Sequence, residues 1–228
     1  MSAPKRIDEP APGRPVPAAR RSGRVRREEI VAAAARIFAR QGYAAVGMRD
    51  IAEAVGIRGA SLYHHFPAKE EILYEVCLTV TRELNEQNLP FLDAPGTPAQ
   101  RLAAFVRAHL EFLHPRRVEH MVGLHELAAL TPAHRAEIDD YRRYYQRRVR
   151  DVIAAGMRSG EFTATDARLA AFAAFGVLNG ISTWFHDDGE LGLEEVVRGY
   201  VVLIVGRMLG AREYADDQAR ALPGGAQT

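Results

Sequence analysis

Ile30, Ala34, Ile37 and Phe38 stand at i, i+4, i+7 and i+8, the apolar stripe of an amphipathic helix over residues 26–41. Ile51, Ala52 and Val55 predict a short second helix. Gly56 ends it, because glycine enters the left-handed cap conformation without steric cost. Beyond Ile57 a third short helix turns Leu62 and Phe66 inward and leaves Arg58, Ser61, Tyr63, His64 and His65 outside. A longer helix follows from residue 69 to about 88, carried by Ile72, Leu73, Val76, Val80 and Leu84. Residues 89–97 hold two prolines and a glycine and predict a loop.

Pro98 suits the first turn of the next helix, which bears Leu102, Phe105, Val106, His109 and Leu113 and is interrupted at Pro115. Residues 118–130 predict another, with Met121, Leu124 and Leu127 facing in. Thr131-Pro132 is a helix start, and its helix runs to about residue 158. The inner stripe there is Ile138, Tyr141, Tyr145, Val149, Val152 and Ile153; Arg142, Arg143, Arg147, Arg148 and Arg150 fall mostly on the outer face. Residues 167–185 and 193–209 are apolar nearly all round, so they call for burial against a partner as well as the core, with Val201 and Val205 expected at that interface. The pattern is all-α, with about nine helices.

Charge and composition sharpen this outline. The chain has 228 residues, 47% hydrophobic and 26% charged, which is the balance of a globular protein with a sizeable core. Net charge is only +1, yet residues 14–27 carry six arginines and no acid. Residues 1–23 have no apolar periodicity and read as a disordered basic arm, either a solvated tail or an extra phosphate-binding segment. Residues 213–228 read as a disordered polar tail. The single cysteine, Cys77, excludes an intrachain disulfide and a cysteine-cluster zinc site, and its apolar setting makes it a buried thiol. With no signal peptide and no apolar run of membrane-spanning length, the chain is expected in the cytoplasm, at the nucleoid, with no membrane partner.

Catalytic constellations do not assemble. The eight histidines offer no metal site with helical spacing and a third ligand, and neither a phosphate-binding glycine loop nor a nucleophile elbow is present. No metal, no cofactor and no enzyme activity are expected. An all-helical enzyme, the competing class, would leave Tyr63, His64 and Lys69 without a reason for their arrangement. The inner stripes of residues 85–212 do mix aromatic with polar groups: Phe105, His109, Phe112, Leu124, His125, Tyr141, Tyr145, Phe175, Asn179 and Trp184. That mixture suits either plain core or a pocket for a small apolar ligand.

Two short helices about a glycine turn, the second polar outside, fit a helix-turn-helix reader over residues 47–66, although an ordinary αα-hairpin would look alike. The flanks decide. Ile30, Ala34, Phe38, Gly42-Tyr43, Arg49-Asp50-Ile51-Ala52, Gly56, Leu62-Tyr63-His64-His65-Phe66 and Lys69-Glu70 follow one another in an order that resembles the TetR family of transcriptional regulators. The resemblance implies a DNA-binding head (residues 24–84) and a ligand-binding, dimerising body (residues 85–212). It also implies a homodimeric repressor on a near-palindromic double-stranded operator, released by a small apolar effector.

By their places in that motif, Arg49, Arg58, Gly59, Ser61, Tyr63, His64, His65 and Lys69 are the residues expected at DNA. Tyr63, His65 and Lys69 correspond to phosphate anchors, and Arg58 and His64 to base contacts. The C-terminal half is similar to members that sense acyl-CoA thioesters in lipid breakdown; a drug-sensing repressor of an efflux gene is the alternative. The chain departs from the family where Val46-Gly47 replaces hydroxyl caps, where Arg58 replaces a serine, and where Thr183 stands in the place of an arginine before Trp184.

Overall fold

The computed structural model describes residues 18–215, and among them every regular element is helical. The first three helices are α1 (Ala18–Gln41), α2 (Met48–Val55) and α3 (Gly59–His65). After them come α4 (Lys69–Asp93), α5 (Pro98–Leu113) and α6 (Arg117–His125), the last trailed by a 3₁₀ turn at Leu127–Ala129. The chain closes with α7 (Pro132–Ser159), α8 (Ala167–Trp184), α9 (Leu193–Val201) and α10 (Arg212–Ala215). Between the last two, residues Val202–Met208 continue α9 as a wider π-helical coil.

Local chemistry explains most boundaries. Gly56 closes α2 at φ 70°, and the Ile57 N–H returns to the Ala52 carbonyl at 2.9 Å. Thr97 and Gln100 cap α5 reciprocally, with Pro98 in its first turn. Asp166 receives the N–H groups of Arg168 and Leu169 at the start of α8.

Two apolar cores form. One gathers Ile30, Phe38, Ile51, Leu62, Phe66, Ile72 and Leu73 from α1–α4, and Val122, Leu127, Leu130 and Ile138 close it from beyond. The other joins α5, α7, α8 and α9 around Leu102, Phe105, Ile153, Leu178, Val197 and Ile204. Helix α4 runs through both, so no linker separates residues 24–84 from 85–212.

The expected loop at 89–97 is mostly helix. Pro90 lies inside α4 with its ring outward, and burial of Leu89 and Leu92 on the opposite side holds the helix together despite the missing N–H. Residues 18–23 of the expected arm belong to α1, while the rest of the arm and residues 216–228 of the tail lie outside the described residues. The near end of the tail is also folded: α10 packs against Gly206, where a Cβ would come within 2.7 Å of the Ala215 nitrogen. Val205, expected at the partner face, is instead 0% exposed in the body core, because the π coil turns it inward. The large apolar side chains left outside include Leu169, Phe172 and Trp184 on α8, Leu191, Leu203, and Phe91 on α4.

Candidate nucleic-acid interface and body cavity

Helix α3 buries Leu62 and leaves its outer side chains bare. Tyr63 is 57% exposed, and Arg58, Ser61 and His64 stand exposed around it. Arg49, Gly59 and Tyr63 line one shallow groove between α2 and α3. His65 is half-buried, with its ring edge-on to His64. Neither α2 nor α3 has a side-chain cap, although Asp50 accepts the Gly47 N–H at 2.7 Å.

Lys69 and Arg27 have structural work. The Lys69 ammonium donates to the carbonyls of Tyr43 (2.8 Å) and Val46 (2.6 Å) and lies over the Tyr43 ring. It clamps the turn that leads into α2, joining the Val46 N–H as a second donor to the Tyr43 carbonyl, and one of its three donors is left for anything outside. Arg27 ties the His65 carbonyl to Glu75 with its guanidinium 3.9 Å over Phe66.

The start of α4 is also locked to the body. Glu70 accepts from the Thr131 N–H at 2.8 Å and from His134 Nδ1 at 3.0 Å. Burial works to raise its carboxyl, but these two contacts hold it below the ordinary carboxylate range. The Tyr74 ring stacks on His134 at 3.7 Å, and its hydroxyl donates to Glu137. Burial first and Glu137 second push Tyr74 up to about 12. Glu70, Glu71 and His134 lie close enough to share an ion, yet hydrogen bonds already occupy Glu70 and His134.

Further along α4, a cavity of ≈ 110 Å³ opens between it and α5–α8. Five expected residues line it: His109, Leu124, Tyr145, Phe175 and Asn179. Five do not. Phe105 sits behind the wall against His109 and Tyr145, and Phe112 is core beneath Arg116. Tyr141 is half-buried away from the cavity, and His125 is exposed at the end of α6. Trp184 is 45% exposed on the outer side of α8, its indole N–H on the Tyr200 hydroxyl.

In their place the wall includes Thr81, Asn85, His120, Arg142 and Gln146. Arg142 was grouped with the outer arginines; it turns in to donate to the Gly123 carbonyl at 2.7 Å. A signal for α4 was present, since Thr81, Asn85 and Asn88 fall at i, i+4 and i+7, a polar stripe beside an apolar one.

Burial, then the neighbouring His120, pushes His109 down to about 3, with Asn179 opposing. Burial, then Arg142, pushes His120 down to about 4. Both imidazoles are therefore neutral at ordinary pH. Burial likewise pushes Cys77 up to about 12, which leaves an unreactive thiol.

A small helix-turn-helix head fused through one helix to an all-helical body with an internal cavity defines a ligand-responsive DNA-binding regulator. Residues 30–76 match the family model described as "Bacterial regulatory proteins, tetR family", and residues 95–208 match "Tetracyclin repressor-like, C-terminal domain". The repressor KstR2 of Mycolicibacterium smegmatis is 27% identical over 79% of this chain and 89% of its own. The regulator BetI of Rhizobium meliloti is 31% identical over 69% and 76%. AibR, solved in complex with isovaleryl coenzyme A and operator DNA, superposes with a TM-score of 0.72 at 30% identity, covering 79% of this chain and 98% of that one. The chain belongs to the TetR family. It is a DNA-binding transcriptional repressor and not an enzyme.

Proposed function

We propose that two copies of the chain grip a near-palindromic operator, one α3 per half-site, and release it when a small amphipathic effector enters the body cavity. Arg49, Arg58, Gly59, Ser61, Tyr63 and His64 meet the DNA in this reading. Arg58 and His64 read base edges and Tyr63 holds a phosphate. His65 and Lys69 support the reader from behind, Lys69 with one donor for a phosphate. Leu169, Phe172, Trp184 and Leu203 supply the apolar face that a second copy covers.

The observation that carries this reading is the path of α4. Its first residue clamps the turn before α2, and its middle, from Val80 to Asn85, lines the cavity. A ligand that prefers one setting of α4 thereby prefers one spacing of the two heads. A preference of about 3 kcal/mol would weaken operator binding about 150-fold. The complex of AibR with isovaleryl coenzyme A supports an acyl group as the part that enters.

Selection of duplexes from a random library, followed by gel shifts at rising salt, tests the DNA half. Recovery of an inverted repeat, with affinity that falls steeply with salt, is the expected result. Failure to enrich any sequence would overturn the repressor reading for these residues.

A further inference from the structure

Within the cavity two buried atoms lack a hydrogen bond of good geometry, His109 Nε2 and Asn85 Oδ1, although the Asn179 side chain stands near His109. Their residues are 1% and 6% exposed, and both line the space. The protons can be followed. Asn88 donates its amide to the Tyr145 hydroxyl at 3.3 Å, and Tyr145 stands 2.9 Å from His109 Nδ1. Because the Tyr145 hydroxyl already accepts from Asn88, its own proton is best directed to Nδ1, which assigns the proton of the neutral ring to Nε2 as a donor. Asn85 spends its amide N–H on the Thr81 carbonyl at 2.8 Å, which leaves its oxygen as an acceptor.

Arg142 completes the set. No acidic residue lines the cavity; Arg142 donates to the Gly123 carbonyl, and the acid whose charge it feels, Asp139, is bonded to Arg135. With both histidines neutral, the one cation facing the space has no carboxylate hydrogen-bonded to it. A donor and an acceptor short of a partner, and a cation with no carboxylate bonded to it, around apolar Val80, Leu84 and Phe175 cost stability unless a ligand answers all three.

Resting on the effector reading above, we infer that the group seated in this cavity is a short carbon chain bearing a free carboxylate and a hydroxyl. The carboxylate pairs with Arg142 and accepts from His109 Nε2, and the hydroxyl donates to Asn85 Oδ1. The ≈ 110 Å³ of space is below the roughly 150 Å³ of engineered cavities that hold benzene, so only a small molecule or the end of a larger one fits. A free hydroxy acid and a carboxylate-ended acyl thioester share this chemistry.

Calorimetry on the full chain at neutral pH separates the possibilities, with 3-hydroxybutyrate, butyrate, methyl 3-hydroxybutyrate, glutaryl coenzyme A and isovaleryl coenzyme A as probes. The expected order places 3-hydroxybutyrate above butyrate and far above the neutral ester. Tighter binding of glutaryl coenzyme A than of 3-hydroxybutyrate would assign the carboxylate to a thioester's far end. Arg142→Gln should weaken the acids about tenfold or more while Arg142→Lys keeps most of the affinity. Asn85→Ala should abolish the advantage of 3-hydroxybutyrate over butyrate without changing butyrate itself, which a purely structural role for Asn85 would not do.

If the ester or isovaleryl coenzyme A binds as tightly as the carboxylate-bearing probes, or if none of those probes binds, the inference is overturned. Release of operator by a neutral apolar compound would then leave the repressor reading standing. Acid binding without any change in operator affinity would instead keep this inference and remove the effector reading.

Discussion

The head closes over Phe38, Leu62 and Phe66, and among the described side chains of its own helices α1–α3 every fully buried one is apolar. The body buries Asn85, Asn88, His109, His120 and Ser182 among its aromatics and still leaves a hole. A filled apolar core gives one rigid arrangement, which suits a surface that must present α3 to DNA in fixed register. A core with unmet hydrogen bonds is less stable and is completed only when a matching molecule arrives. The two regions share α4, so loss of rigidity in one is felt by the other.

Acid should expose this contrast most strongly. His109 and His120 fall to about 3 and about 4 in the folded chain from an ordinary 6.5, so the unfolded chain takes up protons first as pH drops. Their contribution to stability is complete above 6.5 and is lost progressively down to about 3 and 4. By about pH 5, before most carboxylates titrate, the two together should remove roughly 4 kcal/mol. Urea unfolding at stepped pH measures this, and His120→Asn should halve the slope. A flat profile over that range would mean the imidazoles are charged or wet, and the contrast between the cores would collapse.

A cavity cut into the head gives the complementary test. Leu62→Ala should cost about 3 kcal/mol, because the tight core around it has little freedom to collapse. Hydrogen exchange should show faster opening of α2 and α3 with α8 little changed. Equal acceleration in α8 would show one cooperative unit rather than two unlike regions.

How far each region could be read in advance follows from the same contrast. In the head, helix period, the Gly56 stop and the outward Tyr63 and His64 are all local, so pattern alone places them. In the body, the wall is assembled from five helices, and only its aromatic half stands out along the sequence. Asn85 and His120 look like ordinary polar residues until Thr81 and Ser182 satisfy one side of each. Trp184 misled because apolarity all round a helix signals burial without saying whether core or a partner provides it. Pro90 misled because a proline on an exposed helix face is tolerated when the opposite face is buried.

Lys69 joins the regions, and replacing it separates support from contact. Lys69→Met should lose about 1–3 kcal/mol through two charge-assisted bonds to carbonyls, discounted for partial exposure. Operator affinity should fall with the salt slope nearly unchanged, since the lost role is to hold the turn. Tyr63→Phe should instead weaken operator binding while stability stays put, and, its hydroxyl being neutral, the slope should not change. A Lys69→Met variant whose slope falls by about one would restore it as a phosphate anchor.

The smallest change tests whether the head is as finished as its core suggests. Gly47 caps α2 with an extended backbone at φ −101°, a conformation open to any residue, and Asp50 already returns to its N–H. Only the hydroxyl half of the capping box is missing. Gly47→Ser supplies it, and the new Cβ meets nothing closer than the Asp50 carboxylate at 3.4 Å. Serine exceeds glycine at this position by a few tenths of a kcal/mol, which corresponds to about 1 °C in a chain of this size. Thermal melts with and without operator separate two effects: a rise in both reports the cap, whereas a larger rise with DNA adds a hydroxyl contact to phosphate. A lower midpoint would mean that the tight Asp50 contact outweighs the cap, and that glycine at 47 is part of how this head is packed.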